Sequence, residues 1–129
     1  MPNDCNSPLH PDALLGIERF NDKQFWDAHE ALEDAWNAES APVRDFYRGV
    51  LQLAVVCYHL RRKNLRGARK VYVRSQKWLK PFPDICQGVA LGRLQADMVA
   101  VMAEAERLGA EHLAEFDLYP QIIYRETSS

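Results

Sequence analysis

A histidine and a glutamate one helical turn apart are the first residues of this sequence whose types and spacing suggest chemistry. His29 and Glu33 lie within the run FWDAHEALEDAW. At about 100° of rotation per residue, His29 falls on the face that carries the large apolar side chains of Phe25, Leu32 and Trp36. An imidazole among apolar residues costs free energy unless it has a partner. The spacing therefore predicts that His29 and Glu33 belong to a polar or ligand-binding site.

The next helical segment offers partners for this histidine. Within an otherwise apolar stretch, Arg48, Gln52 and His59 fall on a strip about 40° wide at the helical repeat. The connection formed by residues 39–41 is short, which predicts that the two helices are antiparallel neighbours. One interpretation places all these groups in a single polar pocket between the second and third helices, and the sequence leaves an enzymatic role there open. The alternative is that the strip faces water, as one face of most bundle helices does.

A divalent metal ion is one ligand that such a pocket would suit. His29, Glu33 and His59 supply two imidazoles and a carboxylate, a plausible set for a first-row metal. The sequence has neither the His-Glu-x-x-His zinc motif nor the duplicated Glu-x-x-His motif of di-iron bundles. The interpretation favoured by the sequence is therefore a hydrogen-bonded core histidine that Glu33 orients.

The fourth predicted helix carries a second candidate site. The chain has no acidic residue from Phe46 to Pro83, and nine of its 16 lysines and arginines lie between Arg61 and Lys80. Four cations lie within about 80° on one side of this helix, namely Arg66, Lys70, Arg74 and Lys77. The ordinary interpretation is a solvated face, and the functional one is binding of a phosphorylated ligand, a nucleic acid or an acidic protein. Nucleic acid is disfavoured because the net charge is −2 and no nucleic-acid-binding motif is present.

The periodicity predicts an all-α fold, a compact bundle of about five helices in a single domain covering residues 1–129. Two antiparallel helical hairpins are followed by a C-terminal helix and an apolar tail, which we expect to pack across the bundle or onto a second subunit in a homo-oligomer. Residues 1–10 are predicted to be frayed, and Asn21 with Gln24 resembles a capping box. No substantial sheet is expected. The predicted helices cover about residues 11–20, 23–38, 42–62, 65–79 and 91–108.

The cysteines indicate a reducing compartment. Cys5, Cys57 and Cys86 are odd in number, far apart and without CxxC spacing, which suits the cytoplasm better than a disulfide framework. The N-terminus lacks the pattern of a signal peptide. No apolar run approaches the roughly 18 residues of a membrane span. We therefore expect a cytoplasmic protein without membrane contact.

Three blocks of residues, taken together, resemble a known family. The blocks are Ala28-His29-Glu30, Gly49-Val50-Leu51-Gln52-Leu53-Ala54, and His59 followed by Asn64-Leu65-Arg66-Gly67-Ala68. In this order they resemble the bacterial and archaeal family catalogued as domain of unknown function 309, over about residues 17–108. The resemblance implies a small all-helical domain and carries no established activity. Lys63 stands where the family typically has glycine, at a tight left-handed turn.

Two functions follow as hypotheses. The first is a binding pocket for a small-molecule ligand or a metal ion, built from His29, Glu33, Arg48, Gln52, His59 and Asn64. The second is a non-catalytic helical interaction module, similar to one tetratricopeptide hairpin, that contacts a protein partner through the basic face of the fourth helix.

Overall fold

The structure, a computed structural model, describes residues 4–126 and confirms the predicted all-α fold. A two-stranded antiparallel hairpin of β1 (Ile85–Cys86) and β2 (Val89–Ala90) separates the last two long helices. A short 3-10 turn, Leu113–Glu115, follows the last helix. The five helices are α1 (Pro11–Asn21), α2 (Phe25–Ala38), α3 (Arg44–Arg61), α4 (Leu65–Leu79) and α5 (Leu91–His112).

Helix α3 lies at the centre of the bundle, between α2 and α4. Its sequence explains this position, because apolar residues surround most of the helix. Leu53 and Val56 are fully buried, as are Ala54 and Cys57 on neighbouring faces. Burial raises the pKa of the Cys57 thiol, which therefore stays protonated and acts as a small core residue. Consecutive helices are antiparallel, so the end of each helix lies beside the beginning of the next.

Two lysines occupy left-handed backbone positions in the turns that join these helices. Lys23 follows α1 with φ of 62°, and Lys63 follows α3 with φ of 60°. At Lys63 the turn closes with a hydrogen bond from the Asn64 N–H to the His59 carbonyl, 2.8 Å long. The tight left-handed turn is therefore present in this chain with Lys63 at the position where the family pattern has glycine.

Replacing Lys63 by glycine should stabilise the fold by up to about 1 kcal/mol. A non-glycine residue in the left-handed region costs about 1–2 kcal/mol, whereas glycine adds about 0.5–1 kcal/mol of chain entropy to be lost on folding. The midpoint of urea unfolding would measure the gain. The matched control is Lys80→Gly, at a right-handed position with φ of −55°, where glycine should give no gain. A Lys63→Gly variant that is less stable than wild type would contradict this interpretation of the turn.

The predicted capping box at the start of α2 is wrong. Gln24 makes no side-chain cap. Asn21 instead binds the C-terminal tail: its side chain donates to the Ile122 carbonyl at 2.9 Å and accepts from the Ile122 N–H at 2.7 Å. The long-range partner satisfies the amide more completely than a local cap would.

The segment before α1 is packed, so the predicted fraying is wrong for its described part; the first three residues lie outside that part. Cys5 is buried and forms a disulfide with Cys86 of the hairpin. Gln87 donates from its backbone N–H to the Cys5 carbonyl and from its side chain to the Ser7 hydroxyl, both at 2.7 Å. The interpretation of these two cysteines as unpaired thiols is thereby corrected. The disulfide does not decide the compartment, so the cytoplasmic location stays a prediction.

The C-terminal tail packs across its own bundle. Tyr124 pairs with Val89, and the Arg125 N–H donates to the Gly88 carbonyl at 2.9 Å, so the tail extends the hairpin by one short bridge. Gly109 interrupts α5 with φ of 70° and ψ of 173°, at the predicted end of this helix, and a further helical turn follows it as far as His112. Within residues 4–126, none of the helices has both the length and the hydropathy needed to cross a membrane.

Candidate functional site

An arginine held between two tryptophans is the most distinctive feature of the α2–α3–α4 face. The guanidinium carbon of Arg48 lies 5.1 Å from the ring centre of Trp36 and 4.2 Å from that of Trp78. Arg44 lies 4.9 Å from the Trp36 ring, and the Lys77 ammonium lies 4.9 Å from the Trp78 ring. Cations and indoles therefore alternate across three helices. We call these five residues the arginine–tryptophan ladder.

The antiparallel packing of the helices explains why these residues meet. Trp36 lies in the last turn of α2, Arg48 follows one turn after Arg44 at the start of α3, and Trp78 lies in the last turn of α4. Gly49 permits the close approach of α3 to α4, because a Cβ atom at this position would overlap the Leu79 side chain. The chain thus brings Arg48 against an indole of each neighbouring helix.

The cations of the ladder have no acidic partners within residues 4–126. None of Arg44, Arg48 and Lys77 forms an ion pair with an aspartate or glutamate of that part. Arg44 donates from Nε to the Trp36 carbonyl at 3.3 Å, whereas Arg48 has no hydrogen-bond acceptor in the described chain. Arg48 is partly buried as a residue, and the five N–H donors of its guanidinium are available to water or to a ligand.

Three buried polar atoms near this face also lack partners in the described chain. They are Nδ1 of His29, Nε1 of Trp36 and Oε1 of Gln52. Trp36 belongs to the ladder, and Gln52 follows Arg48 by one helical turn. Buried polar atoms are normally hydrogen-bonded to protein or water, so each of these three atoms has the capacity to bind a water molecule or a ligand group.

The local pairing of His29 with Glu33 is present. The Nε2 atom of His29 lies 3.9 Å from a carboxylate oxygen of Glu33, and the imidazole ring is 4.6 Å from the ring of Trp26. The histidine is partly buried whereas the glutamate is half-exposed. Glu33 is therefore an ion-pair partner for a protonated His29, at a distance too long for a hydrogen bond.

His59 and Asn64 lie together at the other end of α3. The Asn64 side-chain nitrogen is 3.3 Å from Nδ1 of His59, and its oxygen accepts from the Gly67 N–H at 2.8 Å, which caps α4. Partial burial lowers the pKa of the His59 imidazole. Eleven residues separate His59 from Arg48, a rise of about 16 Å along the helix axis. The predicted site residues are consequently spread along α3 and do not meet at one point.

The predicted metal site is not assembled. Within residues 4–126, no group of three or more His, Cys, Asp or Glu side chains is placed to hold a metal ion. His29 and Glu33 are close together, but His59 contacts Asn64 at the α3–α4 turn. The set of His29, Glu33 and His59 is thus corrected to one local pair and one separate histidine.

The basic face of α4 has the predicted arrangement. Its members Arg66, Lys70, Arg74 and Lys77 are all exposed. None of them pairs with an acidic residue in the described chain, whereas Arg69 on another side of α4 forms an ion pair with Glu106 of α5. Whether the basic face binds an anion stays a prediction.

Three residues of the ladder are not among the site residues predicted from the sequence, namely Arg44, Trp36 and Trp78. Periodicity assigned Trp36 to the core and Trp78 to the apolar side of α4, although neither is completely buried. The signal that would have found them is positional. In an antiparallel bundle, tryptophans at the ends of α2 and α4 must lie beside cations at the start of α3.

The comparisons with known proteins confirm the resemblance for part of the chain. Residues 14–71 match the model of the family described as "Domain of unknown function (DUF309)". The matched stretch contains every predicted ligand residue, while Trp78 and Lys77 lie beyond it.

Two bacterial relatives carry no assigned activity in their names. The "Uncharacterized protein YpuF" of Bacillus subtilis (strain 168) is 29% identical over 107 residues, which cover 79% of this chain and 62% of that protein. An "Uncharacterized protein" of Aquifex aeolicus (strain VF5) is 26% identical over 109 residues, or 75% of this chain and 33% of that protein. The chain therefore spans less than two thirds of the length of each of these relatives.

Proposed function

Taking the match to the DUF309 family over residues 14–71 as the premise, we propose that this helical domain binds an anionic ligand at the arginine–tryptophan ladder. Arg48 is the anchor for a carboxylate or phosphate group, and Arg44 and Lys77 add positive charge on either side. One observation carries this proposal. The Arg48 guanidinium lies against two indoles, yet it has neither an acidic partner nor a hydrogen-bond acceptor in the described chain.

The geometry favours an anion for a physical reason. Indoles on both sides of a guanidinium keep water from it and fix its orientation, while the N–H groups at its edge remain free. A carboxylate or phosphate can accept two of these N–H groups at once. Because the contacts with two indoles already restrict the Arg48 side chain, less conformational entropy is lost when the ligand arrives.

The unpartnered atoms indicate the rest of the ligand. Trp36, whose ring contacts the Arg48 guanidinium, offers an N–H donor. Gln52, one helical turn after Arg48 on α3, offers an acceptor oxygen. A ligand that carries a hydrogen-bond donor next to its anionic group, as hydroxy acids and amino acids do, would satisfy both. These atoms are covered by neighbouring side chains, so the Gln52 side chain must turn away from them to admit it.

Titration of intrinsic tryptophan fluorescence with citrate and with inorganic diphosphate tests this proposal, because Trp36 and Trp78 flank the anchor. We expect Arg48→Gln to weaken binding by at least about tenfold, since a charge-assisted hydrogen bond is worth about 1.5–3 kcal/mol. Arg48→Lys should recover only part of it, because an ammonium cannot make the bidentate contact. Arg19→Gln, an exposed cation on α1, is the control. Equal binding by wild type and Arg48→Gln would refute the proposal.

The basic face of α4 supports a second candidate function, an interaction module for an acidic partner protein. The specific observation is that four exposed cations on one helix lack acidic partners in the described chain. Such a face attracts anionic surfaces over a range set by ionic strength. Here Arg48 would be dispensable, which separates this function from the first.

The interaction-module hypothesis predicts salt-dependent retention on an immobilised polyanion. On a heparin column the wild-type protein should elute at a higher salt concentration than the double variant Lys70→Gln/Arg74→Gln, because two phosphate- or sulfate-pairing charges are lost. The matched control removes two exposed cations elsewhere, Arg19→Gln/Arg125→Gln. If both double variants elute together, only net charge matters and α4 is a solvated face.

A further inference from the structure

We propose a second binding site, independent of the ladder, that takes a nucleoside monophosphate. It is a cleft of about 360 Å³ between the α1–α2 turn and the last turn of α3. The base would lie against Trp26, and the phosphate would contact Arg61 and Arg62. Neither the family match nor the residues predicted from the sequence include this cleft as a site.

The aromatic wall of the cleft is held in place from behind. Trp26 is 47% exposed, which is high for so large an apolar ring. Its ring centre lies 4.6 Å from that of His29 and 4.9 Å from that of Tyr58. These contacts fix the indole while leaving part of it open to the cleft. A fixed, exposed ring is a platform on which a planar base can stack.

The polar wall of the cleft is positively charged. Lys23, Arg61 and Arg62 line it, against a single carboxylate, Asp27. Arg62 lies 5.6 Å from the Tyr58 ring. Neither arginine forms an ion pair with an acidic residue of the chain between positions 4 and 126. Arg61 also lies 5.9 Å from the Tyr119 ring. Since a ring contact leaves the N–H groups at the edge of a guanidinium available, both arginines can contact a phosphate.

Lys23 has a different role, because it is partly occupied. Its ammonium lies 3.9 Å from the carboxylate of Asp117 and 5.6 Å from the ring of Tyr119. This pair is exposed and contributes little binding energy of its own. Lys23 thus joins the C-terminal segment to the rim of the cleft and adds to the local positive potential.

The size and the two walls together select the ligand class. A volume near 360 Å³ lies within the range of about 300–1,000 Å³ that is usual for small-molecule sites. The Trp26 ring alone would bind aromatic compounds of any charge. The arginines alone would bind anions of any shape. An exposed ring and cations that line the same cleft together favour a planar ring that carries a phosphate. Tyr58 lies ten residues from Arg48, about 15 Å along α3, so this cleft is distinct from the ladder.

Isothermal titration calorimetry of the full chain with AMP, adenosine and inorganic phosphate tests the assignment. AMP should bind more tightly than adenosine or inorganic phosphate, because only AMP can contact both Trp26 and the two arginines. Trp26→Ala should weaken AMP binding by about fivefold to 150-fold, the range for loss of one base–aromatic stack. Trp26→Phe should restore much of it. Arg62→Gln should weaken AMP binding and leave adenosine binding unchanged.

Two further variants separate this site from the ladder. Arg48→Gln and the surface control Arg19→Gln should both bind AMP as the wild type does. Loss of AMP binding in Arg48→Gln, with retention in Trp26→Ala, would place the nucleotide at the ladder and overturn the second site. Equal affinity for AMP and inorganic phosphate would also overturn it, since stacking would then contribute nothing. Thermal melting of each variant checks folding, and Trp26→Phe keeps the test valid if Trp26→Ala unfolds.

Discussion

Replacing Leu53 by alanine should lower the free energy of unfolding by about 2–5 kcal/mol. Leu53 is fully buried in the middle of α3, the helix that packs against both α2 and α4. The substitution removes buried apolar surface and leaves a cavity that two helices border, so relaxation on one side cannot fill it. Urea unfolding followed by circular dichroism would measure the loss.

The same chemical change at an exposed position is the matched control. Leu118 in the C-terminal segment is 49% exposed, and Leu118→Ala should cost about 1 kcal/mol or less, since little of its surface leaves water on folding. Comparable losses for the two variants would mean that Leu53 does not lie in the core, and that the orientation of α3 described above is incorrect.

Reduction of the Cys5–Cys86 disulfide should destabilise the protein by about 2–4 kcal/mol. The bond joins residues 81 apart in sequence, so it restricts a large part of the unfolded chain. It also holds the N-terminal segment against the hairpin, where Gln87 is buried with its hydrogen bonds. Thermal melting with and without dithiothreitol would measure the effect.

The double variant Cys5→Ser/Cys86→Ser provides the control for reduction. It should melt at the temperature of the reduced wild type and should not respond to dithiothreitol. Both proteins contain the buried thiol of Cys57, so this thiol does not contribute to the difference between their melting temperatures. If dithiothreitol leaves the melting temperature of fully oxidised wild type unchanged, the disulfide is not a stabilising element.

Sequence reasoning located the helices well where local signals agree. The bounds of α4 were predicted as found, because Asn64 caps its start and prolines follow its end. The apolar surface of α3 explains its central position. The apolar stripes of α2 and α3 place Leu32 and Leu53 fully in the core, and Trp36 and Tyr58 are mostly buried and pack against it.

The errors concern contacts between residues far apart in sequence. Pairing of Cys5 with Cys86 requires the β1–β2 hairpin to pack beside the N-terminal segment. The spacing of three cysteines in the sequence does not show this contact. The amide of Asn21 finds Ile122, 101 residues away, in place of the local cap that its position suggested. Local patterns contain no information about such partners.

The candidate site was predicted in part for a related reason. The His29–Glu33 pair depends on one helical turn, and it is present. The single pocket assumed that residues sharing one angular strip also share one location, but the rise of α3 separates Arg48 from His59 by about 16 Å. The ladder depends on the ends of three helices, so no single helix displays it.

Observation of the Arg48 side chain by nuclear magnetic resonance tests the central proposal most directly. The Nε–H signal of Arg48, assigned by its absence in Arg48→Lys, reports on the atoms that would contact the anion. On addition of citrate or inorganic diphosphate, we expect this signal to shift in a saturable way, while the signal of Arg19 stays in place. Saturable binding with an unmoved Arg48 signal would contradict anion recognition at the ladder.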